Sequence, residues 1–234
     1  MAQYTISIII PVLNEAAIIK STLEQLQQYD GVEIIVVDGG SKDDTVNIAR
    51  QLGANTLVIS GGRAAQMNAG AKNAKSQLLL FLHIDTQLPH NFVSLVTQAL
   101  AQPKVVAGAF ELAIDGQDRS LRWVEKLVKI RSHLFSLPYG DQAIFITRKV
   151  FIELGGFAQM PIMEDFELIK RLQRHGKIAI ANGSVVTSSR RWQKLGVWQT
   201  TLINQMIIAG YYLGISPIKL SRFYRNRGYQ RHKR

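Results

Sequence analysis

The stretch ISIIIPVLNEAAIIKSTLEQLQQYDGVEIIVVDGGSKDDT, residues 6–45, decides the fold. Residues 6–12 and 33–37 are short Val/Ile runs with little polar alternation, the pattern of strands covered on both faces of a parallel sheet. Between them, residues 16–28 carry apolar side chains three and four positions apart, which predicts a helix. Outward from this unit, residues 56–59 and 78–82 repeat the strand pattern, and residues 44–52 and 64–75 repeat the helical one. Ser41 with Asp44 three positions on reads as a capping box, with Asp in the place of Glu. Repeated strand–helix–strand with right-handed crossovers predicts an α/β protein with a doubly wound, mostly parallel sheet.

The second half is less regular. Residues 105–113 read as one or two strands, 119–131 as an amphipathic helix, 143–146 as a strand and 165–175 as a helix ended by Gly176. Residues 132–142 and 155–163 are rich in Gly, Pro, Ser and aromatics, a composition suited to ligand-facing loops. The simplest parse is one domain over residues 1–195, with a nucleotide-binding half to about 115 and an acceptor half after it, followed by a basic helical extension over 196–234.

A chain of 234 residues with 47% hydrophobic and 19% charged side chains has ample material for a core, which excludes a disordered or collagen-like protein. Having no cysteine removes disulfides, thiolate zinc sites and a cysteine nucleophile, and agrees with a cytoplasmic address. The formal charge of +11 is unevenly spread: residues 1–167 hold 14 basic and 17 acidic groups, a net of −3, while residues 168–234 hold 14 basic groups and no acid. Such a third suggests a polyanionic neighbour: nucleic acid, an acidic headgroup or a diphosphate. Trp198, Tyr211, Tyr212, Phe223, Tyr224 and Tyr229, with seven basic residues from Lys219 onward, suit an anchor on anionic lipid, a nucleic-acid contact, or a docked helix with a tail. Neither residues 6–13 nor residues 202–215 are long enough to span a bilayer or flanked like a signal peptide.

In an open parallel sheet, ligands settle beyond the carboxyl ends of the strands. Three apolar runs end in carboxylates there: PVLNE at 11–15, DGGSKDD at 38–44 and HIDT at 83–86. Gly39 and Gly40 allow a tight turn, and the helix that follows offers its amino end to negative charge, which suits a nucleotide. The first strand leads into no G-x-G-x-x-G turn and the chain holds no G-x-x-x-x-G-K-[ST] loop, so nicotinamide chemistry and P-loop hydrolysis lose support. Asp85, ending so hydrophobic a strand, is either solvated at the rim or bound to a hard divalent ion, Mg²⁺ or Mn²⁺, completed by phosphate and water. His83 is either a second ligand or a hydrogen-bonded core histidine. Glu164-Asp165 suits either a catalytic pair or the acidic first turn of a helix.

Taken together, SIIIPVLNEA, VVDGGSKDDT, GGRAAQMNAG, LLLFLHIDT and MEDFEL resemble, in order and spacing, the family-2 glycosyltransferases of the GT-A fold, over roughly residues 5–195. GRAAQMNAG, FLHIDT and MED are also similar to the small bacterial members named for arsenosugar biosynthesis. The resemblance implies metal-assisted, inverting transfer of a sugar from a nucleotide diphosphate donor to an acceptor hydroxyl. It implies that Pro11, Asn14, Glu15, Asp38 and Arg63 contact the donor nucleotide. Asp85 matches the last acid of the D-x-D metal motif, whose first acid is His83 here, and Gly39 stands where many relatives have a second Asp. Asp165, beside Glu164, matches the catalytic base. Asp141 and Gln142 fall where relatives shape the acceptor pocket. Arg190, Arg191 and Trp192 partly match the Q-x-x-R-W segment of processive synthases, with Ser188 in the Gln position, so a single addition is expected and an arginine there would pair with the diphosphate.

The expected function is therefore single glycosyl transfer, with a small-molecule or lipid-linked acceptor and an anionic membrane surface, at the inner face, as a further partner of the basic extension. Nucleic acid is not among the expected partners. The rivals are a nucleotidyltransferase acting on sugar phosphates, which would want a Gly-rich loop after the first strand, and a non-enzymatic basic module for RNA or membrane.

Overall fold

The computed structural model describes residues 5–229. Strands β1 (Ile6–Val12), β2 (Val32–Asp38), β3 (Asn55–Val58) and β4 (Leu78–Phe81) are parallel and lie side by side in the order β3-β2-β1-β4. Every residue of β1 is buried, as its unbroken apolar run requires. Alternation divides that strand between two cores. Ile8 and Ile10 point to the side packed by α1 (Ala16–Leu26), α2 (Thr45–Gln51) and, further on, α4 (Phe92–Leu100) and α5 (Arg119–Phe135). Ile9 points to the side packed by α3 (Arg63–Asn73), α6 (Arg148–Glu153) and α7 (Glu164–Leu172). On that side Gly70 lets α3 lie close to the sheet, for a Cβ there would stand 2.4 Å from the Ile9 Cγ2.

Beyond β4 the sheet continues through β7 (Phe145–Thr147), β6 (Val105–Asp115), β8 (Lys177–Ser188) and the short β5 (Thr86–Gln87). β7 runs antiparallel to both β4 and β6, whereas β6 and β8 are parallel. The result is a mixed, mostly parallel eight-stranded α/β sheet, as the sequence predicts for its first half. Among the described residues three helices follow β8: α8 (Arg190–Leu195), α9 (Val197–Tyr212) and α10 (Pro217–Tyr229). Ile203 and Ile207 of α9 and Leu220 of α10 pack on Phe166 of α7, so the basic extension is docked on the sheet's helical layer. The Tyr229 side chain and Arg231, Lys233 and Arg234 lie outside the described residues.

Two local expectations are corrected. Residues 177–188, for which no strand is expected above, form β8 and pair with β6 through a register shift opposite Phe110/Glu111, next to Asn182-Gly183, which interrupts their apolar pattern. The Ser41/Asp44 capping box does not form. Asp44 is the N-cap of α2 without a side-chain cap bond, and the Ser41 hydroxyl instead donates to Asp38 Oδ1 and accepts from the Asn14 backbone N–H at 2.8 Å.

Candidate active site

Topology gathers the polar residues at one rim. β1, β2 and β4 run in one direction, so Asn14-Glu15, Gly39 to Asp44 and His83 to Asp85 all leave the same edge. Because β7 runs the other way, its amino end arrives at that edge and brings the 3₁₀ turn Gly140–Gln142 with it. β8 is parallel to β6, itself antiparallel to β7, so Ser188 and Arg190 emerge there as well. α7 begins at the same rim. Met163, immediately before it, is held at φ 70°, and Asn14 and Ala143, on two of the other rim loops, are at φ 55° and 50°. Strained backbone of this kind persists where surrounding structure over-determines it, and it clusters at ligand sites.

A small cavity of about 10 Å³, room for about one water, lies at this rim and is lined by Pro11, Arg63, His83, Gly140, Glu164 and Asp165, among others. Asp165 Oδ2 accepts the Gly140 N–H at 2.6 Å and Oδ1 accepts the Phe166 N–H at 2.7 Å, which orients the carboxylate at the amino end of α7 while leaving lone pairs on both oxygens. Gly140 has no side chain to fill the space beside it; a Cβ would stand 3.0 Å from Asp165 Oδ2 and 3.2 Å from His83 Nε2. Glu164 is buried, and burial together with the Asp165 charge raises its pKa. Arg63 Nη1 lies 3.1 Å from His83 Nε2. A guanidinium only donates, so Nε2 is the acceptor and the imidazole is the neutral Nδ1–H tautomer. Burial and the Arg63 charge push the His83 pKa well below 6.5.

Asp85 faces an adjoining groove of about 210 Å³ with Thr22, Gln25, Ser188 and Arg190. Arg190 Nη2 contacts Asp85 Oδ2 at 3.0 Å and Nη1 lies 3.6 Å from Glu15 Oε2, so one guanidinium spans the ends of β1 and β4. Burial raises the Glu15 pKa against the pull of Arg190. The donor set fits a divalent ion at Asp85, a partly exposed carboxylate that one cation already bridges to Glu15. It does not fit one at His83, whose Nε2 lone pair is engaged by Arg63. Among the described residues no three His, Asp or Glu side chains converge as a metal cage, so any ion here draws its remaining ligands from substrate and water.

The other predicted residues divide into two groups. Asp38 is buried and committed to its own turn, accepting from Gly40 N–H at 2.7 Å and Ser41 N–H at 2.8 Å as well as from the Ser41 hydroxyl. Asn14 Oδ1 accepts the Lys42 N–H at 2.8 Å, tying the first two rim loops together. Gln142 is not an acceptor contact: fully buried, it accepts from Arg131 and Ser132 and donates to the Phe110 carbonyl at 2.8 Å, which spends its amide inside the protein. Asp141 differs, since its Oδ1 is buried without a hydrogen-bond partner and burial raises its pKa. Arg191 stacks 4.1 Å over the Tyr224 ring of α10, and burial lowers its pKa, with the Asp141 charge opposing and the Arg63 charge adding to the shift. Trp192 packs into the core.

Three residues that hold the site were not singled out in the sequence. Gln66 Nε2 donates to the carbonyls of Val12 at 2.9 Å and Val37 at 2.7 Å, clamping the ends of β1 and β2. Asn68 exchanges hydrogen bonds with the backbone of Phe157, and Arg171 donates to the carbonyls of Leu154 and Gly156. Asn68 and Arg171 thus pin the start of the 155–163 segment, expected as a ligand-facing loop, onto the protein. The only sequence signal for Gln66 and Asn68 is that they sit inside the GGRAAQMNAG segment.

Residues 7–162 match the family model described as Glycosyl transferase family 2. The chain belongs to that family. This family 2 glycosyl transferase is 29% identical over 203 residues to an uncharacterized glycosyltransferase of Rickettsia felis, an alignment covering 78% of this chain and 34% of that one. The chain thus spans about a third of that relative's length. It is similar in structure to a mannosyltransferase from Pyrobaculum calidifontis in complex with GDP-Man and Mn²⁺, with a TM-score of 0.64 at 18% identity over 79% of this chain and 56% of the other. It is also similar to glucosyl-3-phosphoglycerate synthase from Mycobacterium tuberculosis in complex with Mn²⁺, UDP and glucosyl-3-phosphoglycerate, with a TM-score of 0.57 at 24% identity over 79% and 70% of the two chains. The GT-A fold expected from the five motifs is the fold these structures share.

Proposed function

We propose that this family 2 glycosyl transferase moves one sugar, with inversion, from a nucleotide diphosphate sugar to an acceptor hydroxyl. The observation that carries the reading is the Asp165 carboxylate, aimed by two backbone N–H groups into a cavity shared with Arg63, His83 and Glu164. A hydroxyl is a weak nucleophile until a carboxylate within hydrogen-bond reach takes its proton; Asp165 takes it as the new glycosidic bond forms and the bond to the diphosphate oxygen breaks. Burial and the Asp165 charge raise the Glu164 pKa, so ionising both members of the pair is disfavoured. Pro11, Asn14, Glu15 and the turn built on Asp38 form the nucleotide side of the rim, and Arg63 and Arg191 are the cations that meet the diphosphate. Their mutual repulsion is relieved by an anion between them. A divalent ion, Mg²⁺ or Mn²⁺, at Asp85 would neutralise charge on the departing nucleoside diphosphate. Asp141, in the 3₁₀ turn at this rim, belongs to the acceptor side, the acceptor being a small molecule or a lipid-linked one.

Asp165→Asn tests the reading. The variant binds nucleotide sugar normally in a thermal-shift titration with Mn²⁺ and loses transfer by roughly 10²–10⁴-fold. Undiminished transfer, or no shift of the wild type by uridine, guanosine or thymidine diphosphates, overturns it.

A further inference from the structure

The carboxy-terminal helices carry a surface that this chemistry does not use. α9 reads VWQTTLINQMIIAGYY and holds no charged residue. Its polar positions are amides and threonines only, and an apolar stripe on such a helix is ordinarily turned to the core. Its inner side is covered: Ile203 and Ile207 are buried against α7 and α10. Its outer side is open, with Trp198, Leu202 and Met206, each four residues from the next, 65%, 61% and 46% exposed, and Leu213 just past its end 80% exposed. The neighbouring α5 repeats the arrangement. Trp123, Leu127, Ile130 and Leu134 lie three and four apart and are each more than half exposed. Beside that stripe, Arg122 pairs with Glu125 at 2.9 Å and Lys129 and His133 both reach Glu111 at 3.0 Å, which leaves Lys126, over the Trp123 ring at 5.3 Å, as the cation flanking it.

We propose that α5 and α9 seat the protein on an anionic lipid bilayer, the apolar stripes entering the headgroup boundary and the cations of α10, with Lys126, meeting lipid phosphate. Charge decides for this occupant over a second copy of the chain. Residues 168–234 carry no acidic group, and α9 is followed on α10 by Lys219, Arg222, Arg225 and Arg227, so pairing two copies through α9 and α10 would bring like charges together. The aromatic placement agrees, with Trp198 at one end of α9 and Tyr212 at the other, the residue types that favour the bilayer interface. At 1.5 Å per residue α9 is about 24 Å long, short of the ~30 Å hydrocarbon core, and no described helix is long and apolar enough to cross a membrane, so α9 lies along the surface. Phe166, next to Asp165, stacks edge-on against Tyr211 and Tyr212 of α9 at 5.4 and 5.6 Å, which puts the docked face one helix from the base. That a lipid-linked acceptor uses this proximity rests on the proposed activity; the docking does not.

Vesicle flotation of the full chain tests it, with phosphatidylcholine alone and with phosphatidylglycerol added. Wild type floats with the anionic vesicles, and added salt weakens this without abolishing it. The triple variants Trp198→Ser/Leu202→Ser/Met206→Ser and Trp123→Ser/Leu127→Ser/Leu134→Ser, which alter only exposed side chains, each lose about tenfold or more in partitioning. No flotation of the wild type, equal flotation of the variants, or complete release by salt overturns the proposal. A dimer seen by light scattering that the variants dissolve, with no vesicle binding, assigns the face to a second copy and overturns it too. Brominated lipid, which quenches the exposed tryptophans of the wild type in the docked state, gives a readout that needs no variant; absent quenching is a refutation.

Discussion

Lowering the pH below 6.5 should destabilise the protein through a single imidazole. Arg63 donates to His83 Nε2 at 3.1 Å, so a proton added to that nitrogen would set N–H against N–H and a cation against a cation. Burial and Arg63 both hold the folded-state pKa well below 6.5, whereas in the unfolded chain it lies near that value. Below 6.5 the unfolded state therefore binds more protons than the folded state. The stability contributed by neutral His83 is complete above 6.5 and is lost as pH falls toward the depressed folded value. One proton of difference corresponds to on the order of 1 kcal/mol per pH unit over the interval between the two pKa values. Urea unfolding of the wild type and of His83→Asn at pH 7, 6 and 5 measures it. The other four histidines and all the carboxylates are common to both proteins, so the difference between the two curves isolates this site. The reasoning is refuted if the two proteins lose stability in parallel, or if nitrogen chemical shifts place the His83 proton on Nε2 at neutral pH.

Three further outcomes are expected. Gly140→Ala should keep the fold yet cut transfer at least roughly tenfold, because its methyl occupies the space between Asp165 and His83; unfolding curves and initial rates together show whether the loss is confined to activity. Gln66→Leu removes one donor from the Val12 carbonyl, which keeps the Gly39 N–H at 2.9 Å, and one from the Val37 carbonyl, and should cost about 1 kcal/mol in urea unfolding, with weaker donor binding as the β1 and β2 loops loosen. Arg190→Gln releases Glu15 and Asp85 from a half-exposed ion pair, so stability should change by less than about 1 kcal/mol while Mn²⁺ binding to the nucleotide-free protein tightens roughly fivefold, read by paramagnetic resonance of free Mn²⁺.

The first four strands were legible within one or two residues because burial on both faces leaves an unbroken Val/Ile/Leu run, a signal that depends on neighbouring positions alone. β8 was not, since Asn182-Gly183 breaks the pattern at the point where pairing with β6 shifts register. His83 was legible as the end of an apolar run at one rim, and Arg63, Glu164 and Asp165 through the family resemblance, and the structure gathers the four around one cavity. What each side chain does there was harder to read. Gln142 and Gln66 are both amides in conspicuous loop or helix positions, but their work is to satisfy carbonyls of Phe110, Val12 and Val37, partners 29 to 54 residues away. Ser41 likewise had a local cap to make and instead bonds Asp38 and Asn14, because the longer contact joins two rim loops. Local spacing is blind to such competition.

Arg190 gives the molecule a divided inheritance. The segment matching the family ends at residue 162, yet the positive charge between Glu15 and Asp85 arrives from residue 190. A chimera that kept the family segment and exchanged everything after it would retain both carboxylates but surrender the counter-charge that settles them, so the tail of the chain is a place where ion preference could be retuned without touching a single strand of the nucleotide half.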